Sequence, residues 1–372
     1  MSGSRLRKLA TYYSLGDLLI LPNASSIEPK EADVSSKFTK RIGLRIPIVS
    51  SPMDTVTESQ MALEMAKLGG MGVIHRNMSE EQEVEEVRRV KSSESKAETI
   101  DERGQPAVAA AVGPFDVRRA KALDSAGADA IVIDTAHGHN LNVVRSAGEI
   151  RRQISSELIV GNIGTPEAAE DYLDVDPDAL RVGLGSGSIC ITRVVTGVGV
   201  PQASAVHGVY SVARRHHIPV ISDGGVESGG DIVKALALGA DSVMLGKALA
   251  GCDESPGKLL ESPLPGLVGG YKLFRGMGAR SVMSKVDRYM VSSKGAPEGV
   301  EGLVRMTGSS ALVVNELVQH VKQGMGYVGA RNVGELRKRS RFVVVTQSGS
   351  EEGRPRLPIL LSHEDWSKLE TE

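Results

Sequence analysis

A chain of 372 residues, 41% hydrophobic and 24% charged, has enough apolar surface for a soluble core and suits one large barrel domain or two ordinary ones. Its 44 Lys and Arg against 46 Asp and Glu leave a formal charge of −2, without the basic excess that a nucleic-acid or anionic-membrane partner requires. No apolar run approaches the ~18 residues of a membrane span, and the basic start, Met1 to Lys8, lacks the apolar stretch of a secretory signal.

From residue 46 onward, short aliphatic runs alternate with amphipathic stretches. The runs cover 46–50, 72–75, 107–112, 130–134, 158–161, 180–183, 219–222 and 242–245. Each is too short for a helix, rich in aliphatic residues, and ends at a Gly, polar or charged residue, as a parallel strand buried on both faces should. Helix-like segments lie between them at 58–68, 80–90 and 116–126, and Ser79 with Gln82 makes a capping box for the second. Repeated βα units predict a parallel sheet, and eight of them favour a closed (β/α)₈ TIM barrel over an open doubly wound sheet. Residues 1–372 therefore read as a single barrel domain.

Two stretches break the rhythm. Residues 91–105 (KSSESKAETIDERGQ) are polar with nothing to bury, and read as a short linker between the second and third units. Residues 252–309 are too long for a βα connection and hold Gly and Pro clusters with scattered strand-like pieces. Insertions of that kind after a barrel strand build lids or binding loops. Helices are expected next at 311–322 and 333–339, then a strand-like run at 342–346 and a polar tail.

Barrel chemistry sits at the C-terminal strand ends, which here read SSPMD (50–54), HRN (75–77), DTAHGH (134–139), GNIG (161–164), GLGSGSICITR (183–193), SDGG (222–225) and LGK (245–247). In GLGSGSICITR, after the sixth strand, three glycines and two serines precede Cys190. Such a loop frees the backbone to approach a ligand or turn its dipoles on an ion, and a thiol behind it reads as an activated nucleophile. The bland alternative, a small buried hydrophobe, is the better reading for Cys252. Two cysteines make no disulfide framework and no Cys/His spacing suggests zinc, so a reducing cytoplasm is the expected setting. SDGG and LGK occupy the place where barrels bind phosphate through backbone amides, and Asp223 suits a ribose diol. Asp134 closes the fourth strand, and His137 and His139 behind it read equally well as solvent-facing loop residues.

The stretch GSGSICITRVVTGVGVPQ (185–202) resembles the catalytic loop of the IMP dehydrogenase/GMP reductase family. SSPMDTVTE (50–58), SDGG (222–225), VMLGKALAG (243–251), FRGMG (274–278) and PEGVEG (297–302) follow the family's pattern, so the resemblance covers roughly residues 11–350. It implies a barrel, a homotetramer, a purine monophosphate ligand and a nicotinamide cofactor. Carried over by residue, Cys190 is the nucleophile that bonds to C2 of IMP, with Thr192 beside it. Ser51, Met53, Ser188, Asp223, Gly224, Gly225, Gly246, Lys247, Phe274, Gly276, Met277, Gly278 and Glu298 resemble the nucleotide's contacts. Asp134, Thr135, Ala136, Asn162 and Gly183 resemble the NAD side. Backbone carbonyls of Gly185, Gly187 and Cys190 resemble half of a K⁺ site, which Glu352 of a neighbouring subunit would complete.

The departures bear on function. Family members usually carry two CBS domains between the second and third units, and 91–105 is too short for them, so control by nucleotides through such domains is expected to be absent. Lys247 stands where dehydrogenases commonly have Ser, and Phe274 where Tyr is usual. Both family enzymes form the cysteine adduct, but the dehydrogenase must also hydrolyse it, with an Arg-Tyr pair on a mobile flap. Arg288 and Tyr289 lie between FRGMG and PEGVEG, where that flap belongs. DTAHGH, and Arg76 in HRN where reductases need Lys, also favour the dehydrogenase; YVGARN (327–332) with FVVVTQ (342–347) leans towards the reductase. The leading expectation is NAD-dependent oxidation of IMP to XMP in guanine nucleotide synthesis. NADPH-dependent GMP reduction is the alternative, and a catalytically silent purine-nucleotide-binding barrel the third reading.

Overall fold

The computed structural model describes residues 9–261, 269–283, 296–353 and 355. Eight parallel strands close a barrel: β1 (Ile48–Ser50), β2 (Met71–Ile74), β3 (Ala109–Val112), β4 (Ala130–Ile133), β5 (Glu157–Ile163), β6 (Ala179–Val182), β7 (Val220–Asp223) and β8 (Ser242–Leu245), with β8 pairing back to β1. These are the eight runs expected from the sequence, shifted by at most two or three residues at their ends. Every residue of the first six strands is buried, since the lumen lies on one face and helices on the other.

The ring helices are α1 (Ser59–Lys67), α2 (Glu80–Lys91), α3 (Val117–Ser125), α4 (Leu141–Arg151), α5 (Pro166–Asp171), α6 (Gln202–Ala213), α7 (Gly229–Leu238) and α8 (Ser310–Val328). The Ser79–Gln82 capping box forms as expected, each side chain meeting the other's backbone N–H at 3.2 and 3.0 Å. Helix α8 packs against both α7 and α1 and so closes the ring. It runs six residues past the expected end because Gly324 and Gly326 act there as contact points: a Cβ on Gly324 would lie 2.7 Å from Val233 Cγ2, and one on Gly326 3.2 Å from Pro29 Cγ.

The barrel lumen is filled by small and aliphatic side chains in alternation, among them Val49, Val73, Ala109, Ala111, Ala130, Val132, Ile159, Ala179, Ile221 and Met244. Two residues further along a strand brings the same face to the mouth. At that level Val132 gives way to Asp134, Ala179 to Arg181 and Ile221 to Asp223. The apolar plug ends in a layer of charge.

Residues 91–105 depart from the expectation that they bury nothing. Lys91 and Thr99 are 8% and 2% exposed. Lys91 Nζ is held by Asp101 Oδ2 at 2.8 Å and Asp129 Oδ2 at 3.0 Å, while Glu98 and Thr99 donate backbone N–H to Ala66 O. Polar composition hid this because the buried groups neutralise one another. The long insertion holds a three-stranded antiparallel sheet of β9 (Leu259–Glu261), β10 (Gly270–Arg275) and β11 (Glu301–Arg305), with β10 central. Near the chain's end, Phe342–Val344 pairs antiparallel with Leu18–Ile20, shorter than the run expected at 342–346.

A close strand–helix approach gives a direct test. A Cβ on Gly72 in β2 would sit 2.4 Å from Ala62 Cα on α1. Gly72→Ala should lower stability by about 1–3 kcal/mol through overpacking. Urea unfolding checks this, and an unchanged midpoint would show that β2 and α1 are not so tightly opposed.

Candidate active site

The charged layer at the barrel mouth is one connected system. Arg181, 5% exposed, donates Nη1 to Asp134 Oδ1 at 2.9 Å and Nε to Asp223 Oδ2 at 2.9 Å. Arg76 adds Nε to Asp134 Oδ2 at 3.2 Å, and Asn162 donates Nδ2 to Asp223 Oδ2 at 2.7 Å and to Gly183 O at 2.9 Å. Burial opposes the charge on Arg181, but Asp223 and Asp134 outweigh it and hold its pKa above the ordinary value. Two carboxylates can face one pocket because this guanidinium lies between them.

The glycine-rich loop folds over Asp223. A Cβ on Gly183 would stand 1.9 Å from Asp223 O, so no larger residue fits there. Ser186 Oγ donates to Asp223 O at 3.1 Å, and Gly224 (φ +88°) leaves room for Ser186, whose Oγ would be 2.6 Å from a Cβ. Ser188 is exposed in the turn that follows.

Cys190 is partly exposed, on a short antiparallel bridge to Gly299. Ile191 donates N–H to Glu298 O at 2.9 Å and Val300 donates to Ile189 O at 3.0 Å, so the Cys190 loop is stitched to the stretch carrying Glu298. Cys190 Sγ lies 3.1 Å from Thr192 Oγ1, which donates to Glu298 Oε2 at 3.0 Å. Thiol, hydroxyl and carboxylate form a line along which the thiol proton can move. Gly276 and Gly278 close the same corner, their Cβ positions 3.3 Å from Ile189 O and 3.4 Å from Glu298 C, with Met277 partly buried between them.

A third corner forms around Gly246. A Cβ there would meet Met53 Sδ at 3.0 Å and both Ser51 Cβ and Phe274 Cζ at 3.9 Å. Ser51 and Phe274 are buried. Lys247 begins the short helix Lys247–Ala250 and is exposed, with its charge at the mouth's rim.

On the Asp134 side, Thr135 Oγ1 and Asn162 Oδ1 are buried with no hydrogen-bond partner among the described residues. Gly138 donates N–H to Asn162 O at 2.7 Å and accepts from Tyr172 at 2.7 Å, which holds the DTAHGH loop down. Ala136 and His137 are exposed on it, and His139 pairs with Asp171 at 2.8 Å. Cys252, as expected, is fully buried. Glu352 is exposed in helix Gln347–Glu352 and, among the described residues, has no hydrogen bond to Gly185 or Gly187. Arg288 and Tyr289 lie outside the described residues.

The likeness of this chain to known proteins agrees with that geometry. A model of the IMP dehydrogenase / GMP reductase domain matches residues 12–356. The chain belongs to this family. It is 42% identical to the inosine-5'-monophosphate dehydrogenase of Cryptosporidium parvum, over 90% of this chain and 92% of that one. It is 36% identical to the enzyme of that name from Thermoplasma acidophilum, over 95% and 96% respectively. That second match extends over 472 positions against a chain of 372, so the relative carries a long stretch with no counterpart here. A solved structure of a GMP reductase variant from Trypanosoma brucei, in complex with guanosine 5'-monophosphate, superposes with a TM-score of 0.89 at 30% identity, covering 96% of this chain and all of that one.

Within this family framework Arg181 is the member that sequence reasoning missed. Its signal was present: a lone Arg between Leu180 and Val182 in an otherwise apolar strand. Arg275, whose Nε meets Asp54 Oδ2 at 3.0 Å and so anchors the strand bearing Phe274, was missed in the same way. Replacing Arg181 with Met should cost about 3–5 kcal/mol of stability, because two partly buried carboxylates lose the cation they share. Arg181→Lys should recover only part, since an ammonium cannot span both. Chemical denaturation of the three proteins checks this, and a Met variant as stable as the parent would mean that Arg76 and Asn162 suffice to hold the two carboxylates.

Proposed function

We propose that this chain is an NAD-dependent IMP dehydrogenase that oxidises IMP to XMP through a covalent Cys190 adduct. The observation that carries the proposal is the convergence of Cys190, Thr192 and Glu298 in one corner with Asp223 and the Gly246 cluster in the adjoining ones. Asp223 takes the ribose diol, and the backbone around Gly224, Gly225, Gly246 and Gly276 takes the phosphate, as Ser51, Met53, Ser188, Phe274, Met277 and Gly278 shape the rest of the nucleotide pocket. Cys190 Sγ adds to C2 of the base while its proton passes to Thr192 and Glu298, and the C2 hydrogen leaves as hydride.

The residues fit a nicotinamide on the Asp134 side. The unpartnered Thr135 Oγ1 and Asn162 Oδ1, with Gly183 and Ala136 beside them in the sequence-based reading, suit its carboxamide. Bound NAD⁺ would supply the hydride acceptor, and this chain's part is to orient it, with the Asp134 carboxylate held by Arg76 and Arg181. A K⁺ ion suits the carbonyls of Gly185, Gly187 and Cys190. Among the described residues only that of Gly187 accepts a hydrogen bond, from Cys190 N–H at 3.0 Å. Glu352 of a neighbouring subunit completes the ion's shell in a homotetramer. The Arg288-Tyr289 pair then activates the water that releases XMP. Both cysteines are free, in keeping with a reducing cytoplasm.

GMP reduction with NADPH is the second reading, favoured by the TM-score of 0.89 to a GMP reductase. Arg76 on Asp134 and the higher identity to dehydrogenases weigh against it. Absorbance of NADH formed from IMP and NAD⁺ with K⁺, against NADPH consumed with GMP, separates the two. Only the second activity in the wild-type protein would reverse the assignment.

Three variants test the steps. Cys190→Ala should abolish turnover and leave IMP binding largely intact, whereas Cys252→Ala should change kinetics little; turnover by the first would remove Cys190 as nucleophile. Arg288→Ala should still give a burst of NADH of about one per active site, then slow turnover as the XMP adduct accumulates. Loss of burst and steady state together would show that Arg288 serves the fold instead of hydrolysis.

A further inference from the structure

Behind the Gly246 corner a buried cation rests on neutral oxygens. Lys272, central in β10 and 5% exposed, donates from Nζ to the carbonyls of Cys252 at 2.6 Å, Asp253 at 3.1 Å and Ser255 at 2.7 Å, and to Ser255 Oγ at 3.2 Å. Carbonyl oxygens that replace a hydration shell are how proteins hold a bare monovalent cation. Ser255 Oγ is itself fixed, donating to Ala250 O at 2.8 Å and Cys252 O at 2.9 Å, so the turn is built around the charge.

The cage has a place in the nucleotide site. Residues two apart on a strand share a face, and two residues beyond Lys272 stands Phe274, against Gly246 and Met53. Arg275 then anchors to Asp54, and Gly276 begins the corner against Ile189 and Gly299. The strand that presents Phe274 and residues 276–278 is thus pinned in front by Arg275 and behind by Lys272. Removing the ammonium leaves the carbonyls of Asp253 and Ser255 without a donor and that of Cys252 with Ser255 alone, and the turn at 252–255 must open to water or find another cation.

We propose that Lys272 is a tethered monovalent cation, a positioning residue for the nucleotide-binding strand, and that a small free ammonium ion enters the same carbonyl cage when the side chain is cut back. The site it serves rests on the nucleotide reading above; the cage itself does not.

The test uses full-length Lys272→Ala and Lys272→Met with IMP and NAD⁺ at fixed K⁺, with methylammonium or tetramethylammonium chloride added at equal ionic strength. KM for IMP should rise at least about tenfold in both variants while kcat falls less. Methylammonium should restore most of the KM of Lys272→Ala and raise its Tm. It should do neither for the wild type, nor for Lys272→Met, whose stem fills the entrance. Tetramethylammonium, too large for the cage, should do nothing. A wild-type KM in either variant, or a defect in Lys272→Ala that methylammonium leaves unchanged, overturns the proposal. If Lys272→Ala folds only with methylammonium present, the cage is supported; if it folds in neither condition, the KM of Lys272→Met decides. A methylammonium-dependent rise in Tm of Lys272→Ala in a protein whose wild type oxidises no IMP would overturn the nucleotide reading and leave the cage intact.

Discussion

A guanidinium at the mouth of the barrel holds two carboxylates that belong to opposite sides of the site. Without Arg181, Asp134 and Asp223 would face each other above an aliphatic plug with no cation between them. With it both are fixed in direction, Asp134 on Arg181 Nη1 and Asp223 on Arg181 Nε. The support runs outward. Arg119 donates to the carbonyls of Arg76 at 3.0 Å and Met78 at 3.1 Å while resting on Glu83 at 2.8 Å, so the loop that aims Arg76 at Asp134 is itself held by a buried ion pair. Burial drives the Glu83 pKa well above its ordinary value even against the pull of Arg119, which marks this as a costly arrangement retained for geometry.

Cys190 is positioned differently. Its loop carries glycines that give it freedom, and order comes from a partner far away in sequence: the 298–300 stretch, which binds it as a short antiparallel strand. Cys190 is therefore only as well placed as the insertion that returns after β10. The loop, the insertion and the Phe274 strand are mutually dependent, and the barrel supplies the platform on which they meet.

Strand positions were legible because a strand buried on both faces leaves an unbroken apolar run, and Cys190, Asp223 and Gly246 were legible because they stand where such runs end. Arg181 and Lys272 were not, for a related reason. Each lies inside an element, and a charged residue there is read from composition as an exposed position. Only three-dimensional pairing, with Asp134 and Asp223 in one case and with backbone carbonyls in the other, explains how the charge is carried. Residues 91–105 misled in the opposite sense: their polarity suggested free solvent, yet Lys91, Asp101 and Asp129 bury their charges against one another. The extension of α8 past its glycines belongs to the same class, since close packing against Val233 and Pro29 has no signature along the chain.

That short crossing from α2 to β3 has an architectural consequence. It runs from a helix end to a strand start, on the side of the barrel away from the reacting groups, and Lys91 Nζ meets Asp101 Oδ2 at 2.8 Å across its first half. A chain that leaves and re-enters at neighbouring points can accept a foreign module without moving anything else, as in natural domain insertions. The same ion pairs that clasp this crossing make it a ready splice point. A reporter or ligand-responsive module grafted between Ser92 and Glu98 would be tethered to the floor of the catalyst, leaving its open end untouched.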